Sequence, residues 1–174
     1  SATTALYTNW PDNSYISLGT SHDLQIVHTG VNSVIQNLVG KLQILSFTDD
    51  IEIKQFGDDK DIILSSDDGS GGVTPYLTLD GSAAETKFQK DLRIIDNEKL
   101  ILGTSNDMEM FHNGTNTTFN NYNGNLTITN NTDDGDIIFQ SDDGSGSVTA
   151  YLTLDGSASR TVFSKNTAHN DNIK

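Results

Sequence analysis

Two histidines occur in the same short pattern, His-x-Gly-x-Asn, at 28–32 and 112–116. Each follows alternating apolar residues, so each imidazole falls on the apolar face of a predicted strand. Imidazole nitrogen is a common ligand of transition metals. Where several chains meet along an axis, the copies of His28, or those of His112, could converge and bind a metal ion. The alternative is a packed histidine whose ring nitrogens bond the adjacent turn.

Paired aspartates form a second group of candidates for metal binding. Carboxylates beside glycine-rich backbone can hold calcium, although neither the EF-hand spacing nor the Gly-Gly-x-Gly-x-Asp repeat is present. The alternative is that these aspartates form Asx turns and keep the surface soluble. We predict no required cofactor, with calcium or another metal ion as the candidate. The pairs are Asp67 and Asp68, Asp142 and Asp143, and the Asp-Asp-x-Asp segments at 58–61 and 133–136.

Trp10 is the aromatic residue that we single out as an exposed ligand contact, because its equivalent in the repeat described below is not aromatic. A flat indole offers a surface on which a sugar ring can stack. Catalytic patterns are missing: the sequence has no Gly-x-Ser-x-Gly, no His-Glu-x-x-His and no phosphate-binding loop. We therefore predict that the chain is not an enzyme.

Composition excludes several classes of protein. The 174 residues carry a net charge of −14, with 24 acidic and 10 basic side chains. Such a chain cannot bind nucleic acid by releasing counterions. No apolar run reaches the roughly 18 residues of a membrane helix, and no signal peptide begins the chain. The absence of cysteine excludes disulfides, thiolate metal sites and a cysteine nucleophile.

An internal repeat organises the whole chain. Residues 16–45 match 100–129 with 12 identities in 30, and residues 61–90 match 136–165 with 22 identities in 30. The change of offset from 84 to 75 indicates a nine-residue insertion in the first copy, within 46–60. We predict a repeat unit at 1–81, a second at 82–156 and a truncated third at 157–174, which is the pattern expected of a window from a longer array.

The local periodicity is two, which predicts about six short strands per unit and no helix. Turn signals separate the strands, among them Asp-Asp-Gly, Asp-Gly and Asn-Gly-Asn. Pro75 interrupts one strand pattern, so we expect it where the strand lacks a neighbour on one side. The alternating residues are Leu24/Ile26/His28, Leu42/Ile44, Val73/Pro75/Leu77/Leu79, Leu100/Leu102, Met108/Met110/His112, Leu126/Ile128 and Val148/Ala150/Leu152/Leu154.

Each unit has too few apolar residues to bury a core alone, since about 75 residues with one apolar face per strand form a thin layer. The next unit, another chain, or both must cover that face. We predict an all-β, repetitive fold. An assembly of several chains and a monomeric β-solenoid are the alternatives.

Three long blocks resemble tandem repeats in tail-fibre and virion structural proteins of marine bacteriophages, of the cyanophage and pelagiphage type. They are Leu-Gly-x-x-x-Asp-Leu-x-Ile-x-His-x-Gly-x-Asn-Ser at 18–33, Gly-Asn-Leu-x-Ile at 124–128, and Ser-Asp-Asp-Gly-Ser-Gly-Gly-Val-Thr-x-Tyr-Leu-Thr-Leu-Asp-Gly-Ser at 66–82. The resemblance implies an elongated, intertwined homotrimeric fibre shaft, like a triple β-helix or a β-prism. It also implies location in the extracellular virion after synthesis in the host cytoplasm.

The predicted function is therefore that of a structural shaft segment that supports host attachment. Its partners would be further copies of itself, other virion or tail proteins and host surface polysaccharide, with neither nucleic acid nor membrane insertion. The main alternative is an adhesin segment that binds host surface glycans directly. A third alternative, a depolymerase, would carry carboxylates in a groove between chains. The insertion within 46–60 could be a lateral contact with another virion protein.

Overall fold

The computed structural model describes residues 7–168, so the first six residues of the first repeat unit and the last six of the truncated third lie outside the described part. The described chain contains twelve strands and no helix, which confirms the all-β prediction. It divides into two compact units, 1–90 and 91–174, and we call these the first and the second unit. The first unit contains β1 (Tyr15–Leu18), β2 (Leu24–His28), β3 (Ser33–Asn37), β4 (Ile62–Asp67), β5 (Val73–Asp80) and β6 (Glu85–Phe88); the second contains β7 (Lys99–Leu102), β8 (Met108–His112), β9 (Thr117–Asn121), β10 (Ile137–Asp142), β11 (Val148–Asp155) and β12 (Arg160–Phe163).

Each unit consists of two three-stranded antiparallel sheets, in which consecutive strands are neighbours. The first unit has β1-β2-β3 and β4-β5-β6, and the second has β7-β8-β9 and β10-β11-β12. The strand bounds repeat at the offsets of the sequence, 84 residues for the first sheet of each unit and 75 for the second. The turn before the first strand of each unit repeats as well: Asn13 and Asn97 share a left-handed backbone, with φ of 63° and 68°.

A β-bulge marks the long hairpins. In β4–β5 the register shifts between Leu64 and Ser65, so that Leu64 faces Leu77 and Ser65 faces Pro75. At Pro75, β5 has β4 on one side, while its pairing with β6 begins at Leu77. Proline therefore lies where its missing N–H disrupts no second ladder, as the sequence predicted. The equivalent hairpin β10–β11 shifts between Phe139 and Gln140.

Two predicted strands are absent. Residues 42–44 and 126–128 are not in β-structure, although their apolar residues alternate. The reason is the lack of a neighbour, since an extended segment becomes a strand only when another strand accepts its backbone hydrogen bonds. Nothing in the described part of the chain pairs with either segment.

Few side chains of the sheets are buried, and the apolar faces stay largely exposed. Among residues 7–168, the buried side chains are Val27 (6% exposed), Thr78 (6%) and Glu109 (8%). On β5 the face of Thr78 is covered, whereas Val73 and Leu79 on the other face are exposed.

Contacts between strands stay inside each sheet. In the first unit β2 contacts β1 and β3, and β5 contacts β4 and β6; in the second unit the middle strands β8 and β11 contact their neighbours in the same way. Among the described strands no sheet stacks on another inside a unit, so residues 7–168 form no layered core of the usual kind. The apolar faces that the sequence predicted must be covered are left open.

Candidate functional site

The two histidines lie at the ends of equivalent strands, and the backbone of each makes the same hydrogen bond. His28 ends β2 and His112 ends β8, and their carbonyl oxygens accept hydrogen bonds from the Asn13 and Asn97 amides, both over 2.8 Å. Both side chains are exposed on the open apolar face, which has the parity that the sequence predicted.

The imidazoles meet different neighbours in the two units. His28 Nδ1 lies 3.1 Å from Ser33 Oγ across the hairpin. His112 Nδ1 lies 3.0 Å from Asp96 Oδ1 and 3.1 Å from the Gly114 amide nitrogen. A single Nδ1 either accepts from Gly114 or donates to Asp96, so the tautomer selects one of the two bonds. The Nδ1 contacts with nearby turn and hairpin residues match one part of the alternative interpretation, but both rings are exposed and not packed.

The Asp-Asp-Gly-Ser-Gly turns are closed by their own aspartates. Asp67 Oδ1 accepts from the Gly69 amide over 2.7 Å. Asp68 Oδ1 accepts from the Ser70 amide, the Ser70 hydroxyl and the Gly72 amide over 2.8, 2.7 and 3.0 Å. Asp142 and Asp143 make the same four bonds in the second unit. These are the Asx turns of the alternative interpretation.

Hydrogen bonds favour the ionised form of an aspartate in each of these turns. The Ser70 hydroxyl and then the turn amides lower the pKa of Asp68, and the Ser145 hydroxyl does the same for Asp143. One oxygen of each carboxylate is thus committed to the turn. Within residues 7–168, no three histidine, aspartate or glutamate side chains come together as a metal site. A metal site built from several chains stays a prediction.

A third aspartate contact was missed by the sequence analysis. Asp61 Oδ1 accepts from the Gly81 amide over 3.0 Å, and Asp136 does so from the Gly156 amide over 3.0 Å. These bonds tie the segment before β4 or β10 to the turn that follows the next strand. A Cβ on Gly81 would collide with the Lys60 carbonyl oxygen. The available signal was that both aspartate and glycine are identical in the two copies.

The turn after β5 carries an ion pair that the sequence analysis also missed. Asp80 accepts from the Ala83 amide and the Ser82 hydroxyl, and Lys87 Nζ lies 2.5 Å from its Oδ2. Mainly through Lys87, these donors hold the pKa of Asp80 far below its usual range. Glu85, which also contacts Lys87, lies at the first position of β6.

A groove occurs at the same place in both units. The first measures about 580 Å³ and the second about 430 Å³. Each is open to solvent and lies between an extended segment and the end of a hairpin. The lining residues correspond at an offset of 75, with Ile53 and Leu79 in the first unit and Ile128 and Leu154 in the second.

Trp10 is exposed and lies beside one of the histidines. Trp10, Ile26, His28 and Ser33 line a hollow of about 290 Å³ in the first unit. The structure therefore brings together two residues that the sequence analysis had chosen for different reasons. The position equivalent to Trp10 in the second unit is Ile94, which is also exposed.

Among residues 7–168 no helix is long and apolar enough to cross a membrane. Comparison with models of protein families, with curated proteins and with solved structures found no match to the chain.

Proposed function

We propose that this chain is a shaft segment of a bacteriophage tail fibre, in which identical chains associate into an elongated homotrimer that supports host attachment. The observation that carries the proposal is the exposure of the apolar faces of the sheets. Val27 is the one buried apolar side chain of residues 7–168, while Val73, Leu79, Val148 and Leu154 are exposed. A chain that cannot bury its apolar faces alone gains that stabilisation by association.

A trimer fits the geometry of thin sheets. Three apolar faces meeting on an axis can cover one another where two sheets within one chain do not. Edge strands such as β1, β3, β4 and β6 can be paired or covered in the same arrangement, which removes a site of uncontrolled aggregation. The acidic charge of −14 then keeps a long surface soluble. The assignment to a phage virion rests on the resemblance of the repeat blocks.

The mass in solution tests this proposal. Light scattering is expected to give three times the 18.9 kDa of the chain, with and without EDTA, because interchain burial holds the trimer. A monomer of one chain mass overturns the fibre. A trimer that dissociates in EDTA retains the fibre but assigns its stability to metal bound by the histidines or the acidic turns.

Glycan binding is the second candidate, and the hollow of Trp10 and His28 favours it. A sugar ring stacked on the indole would place its hydroxyls near His28 and Ser33. Binding of host surface polysaccharide, measured by titration calorimetry, is expected to be lost in Trp10→Ala and kept in Tyr7→Ala. Tyr7 is a matched control because it is an exposed aromatic residue outside the hollow. Equal binding by both variants would remove this candidate.

A further inference from the structure

The insertion in the first unit duplicates one element. Residues 42–50, the first nonamer, and residues 51–59, the second nonamer, share an apolar pattern at a spacing of nine. Leu42, Ile44 and Phe47 correspond to Ile51, Ile53 and Phe56. The second unit has the start of this pattern once, at 126–128, and the difference in offset between the copies is also nine residues.

Both nonamers fit between the same two anchors. Before the first nonamer, Asn37 Nδ2 donates to the Val39 and Gly40 carbonyls over 3.1 and 2.9 Å, as Asn121 does to Asn123 and Gly124 before residue 126. After the second nonamer, Asp61 bonds Gly81 as Asp136 bonds Gly156. The groove beside Ile53 likewise recurs beside Ile128. The first unit therefore spans the same two ends with one extra nonamer.

The nonamers expose both their side chains and their backbone. Phe47 is 91% exposed and Phe56 is 89% exposed. Two phenylalanines can bury about 300–400 Å² together, a large part of the roughly 800 Å² per partner of a stable interface. Residues 42–56 make no backbone–backbone hydrogen bond. Bonds from the turn at 46–50 go to side chains, as when the Asp49 amide donates to Ser46 Oγ.

We propose that the nonamers pair as parallel β-strands with those of neighbouring copies of this chain, displaced by nine residues. The second nonamer of one copy lies beside the first nonamer of the next. Leu42 then faces Ile51, Ile44 faces Ile53 and Phe47 faces Phe56. The inference rests on the proposed homotrimer, since the pairing closes into a ring when three copies meet.

Charge favours this displacement over an unshifted pairing. In an unshifted parallel pairing each charged residue faces its own copy, so Asp49, Asp50 and Glu52 all meet like charges, which is destabilising. With a shift of nine, Lys41 faces Asp50 and Glu52 faces Gln43, and the opposed like charges are reduced to two pairs, Asp49 with Asp58 and Asp50 with Asp59. The apolar residues keep their faces, because each nonamer repeats the same pattern.

Disulfide trapping tests the register, since the chain has no cysteine of its own. Neighbouring strands lie about 4.8 Å apart, which suits a disulfide. The double variant Lys41→Cys with Asp50→Cys is expected to give covalent dimers and trimers on a non-reducing gel, whereas either single variant gives monomers. Cross-linking of a single variant would show unshifted pairing and overturn the proposal. A double variant that stays monomeric, with free thiols or an internal disulfide, would overturn it as well.

The mass of the unmodified chain in solution distinguishes failure of the proposed fibre from failure of the pairing alone. If the unmodified chain is monomeric, the proposed fibre fails and the pairing fails with it. If it is trimeric and the cross-links do not form, the pairing alone fails.

Discussion

The first sheets of the two units differ in their side chains far more than the second sheets do. The strands of sheets β1–β3 and β7–β9 begin and end at equivalent positions, 84 residues apart. This holds although Tyr15, Gln25 and Leu38 are replaced by Lys99, Glu109 and Tyr122. In the second unit Lys99 Nζ donates to both Glu109 oxygens over 3.0 Å, and Tyr122 donates to Glu109 over 3.1 Å.

Backbone bonds remain constant where these side chains change. The Leu38 amide donates to the Asp23 carbonyl and the Tyr122 amide to the Asp107 carbonyl, both over 2.8 Å. In β4–β6 and β10–β12 even the side chains that close the turns are retained. The difference teaches that turns and their backbone bonds specify these sheets, while contacts across the strands can be exchanged.

A side chain added at a crowded glycine should give the largest loss of stability in either unit. Gly81→Ala puts a Cβ against the Lys60 carbonyl oxygen, and Gly156→Ala puts one against the Gly135 carbonyl oxygen. Because backbone atoms cannot swing aside, each change is expected to cost about 3 kcal/mol of unfolding free energy. Urea denaturation followed by circular dichroism measures it.

Gly69→Ala is the control for that prediction. Gly69 has open space around its missing Cβ and a φ of +82°, so backbone strain is its main cost, roughly 1 kcal/mol. A Gly81→Ala protein as stable as the Gly69→Ala protein would show that the close approach is not a constraint.

Acid titration should show a difference of intermediate size between the two units, at Asp80 and its equivalent Asp155. The side chain of Lys87 is the largest cause that lowers the pKa of Asp80, whereas the Ala158 amide is the largest for Asp155 and Arg160 contributes less. A lowered carboxyl pKa stabilises the fold above the unfolded value of about 3.9. That contribution is lost as the pH falls from there through the lower folded pKa.

Lys87→Met should therefore raise the pKa of Asp80 more than Arg160→Met raises that of Asp155. Carboxyl chemical shifts followed by NMR between pH 6 and 1 measure both, and Lys87→Met should also flatten the loss of stability below about pH 4. Equal shifts in the two variants would contradict the difference between the copies.

Removal of one hydroxyl should give the smallest effect. Tyr76 donates to the Asp67 carbonyl and Tyr151 to the Asp142 carbonyl, both over 2.9 Å. Tyr76→Phe and Tyr151→Phe are each expected to lower the free energy of unfolding by about 0.5–1.5 kcal/mol. The two losses should be equal, because the bond is the same in both units. Thermal melts of the two variants check this, and a loss in one unit alone would break the equivalence.

The sequence predicted the strands well where a neighbour lies nearby in the chain. Alternation located β2, β5, β8 and β11, since each is the middle strand of a hairpin sheet. The same rule failed at 42–44 and 126–128, because alternation reports which residues share a face and not whether a partner strand exists.

The candidate sites were predictable in part for the same reason. The Asx turns of Asp67 and Asp68 are local, so residue type and spacing predicted them. The Asp61–Gly81 bond joins residues twenty apart, and the hollow of Trp10 and His28 joins two segments through the fold of the hairpin. Long-range proximity of this kind is not encoded in spacing along the chain.

The open apolar faces have a thermodynamic consequence. In the proposed fibre, burial of those faces takes place when chains meet, so folding and association form one transition. The melting temperature then rises with protein concentration, as it does for obligate oligomers. The heat capacity change on unfolding, which follows the apolar area released to water, belongs mostly to the interface between copies.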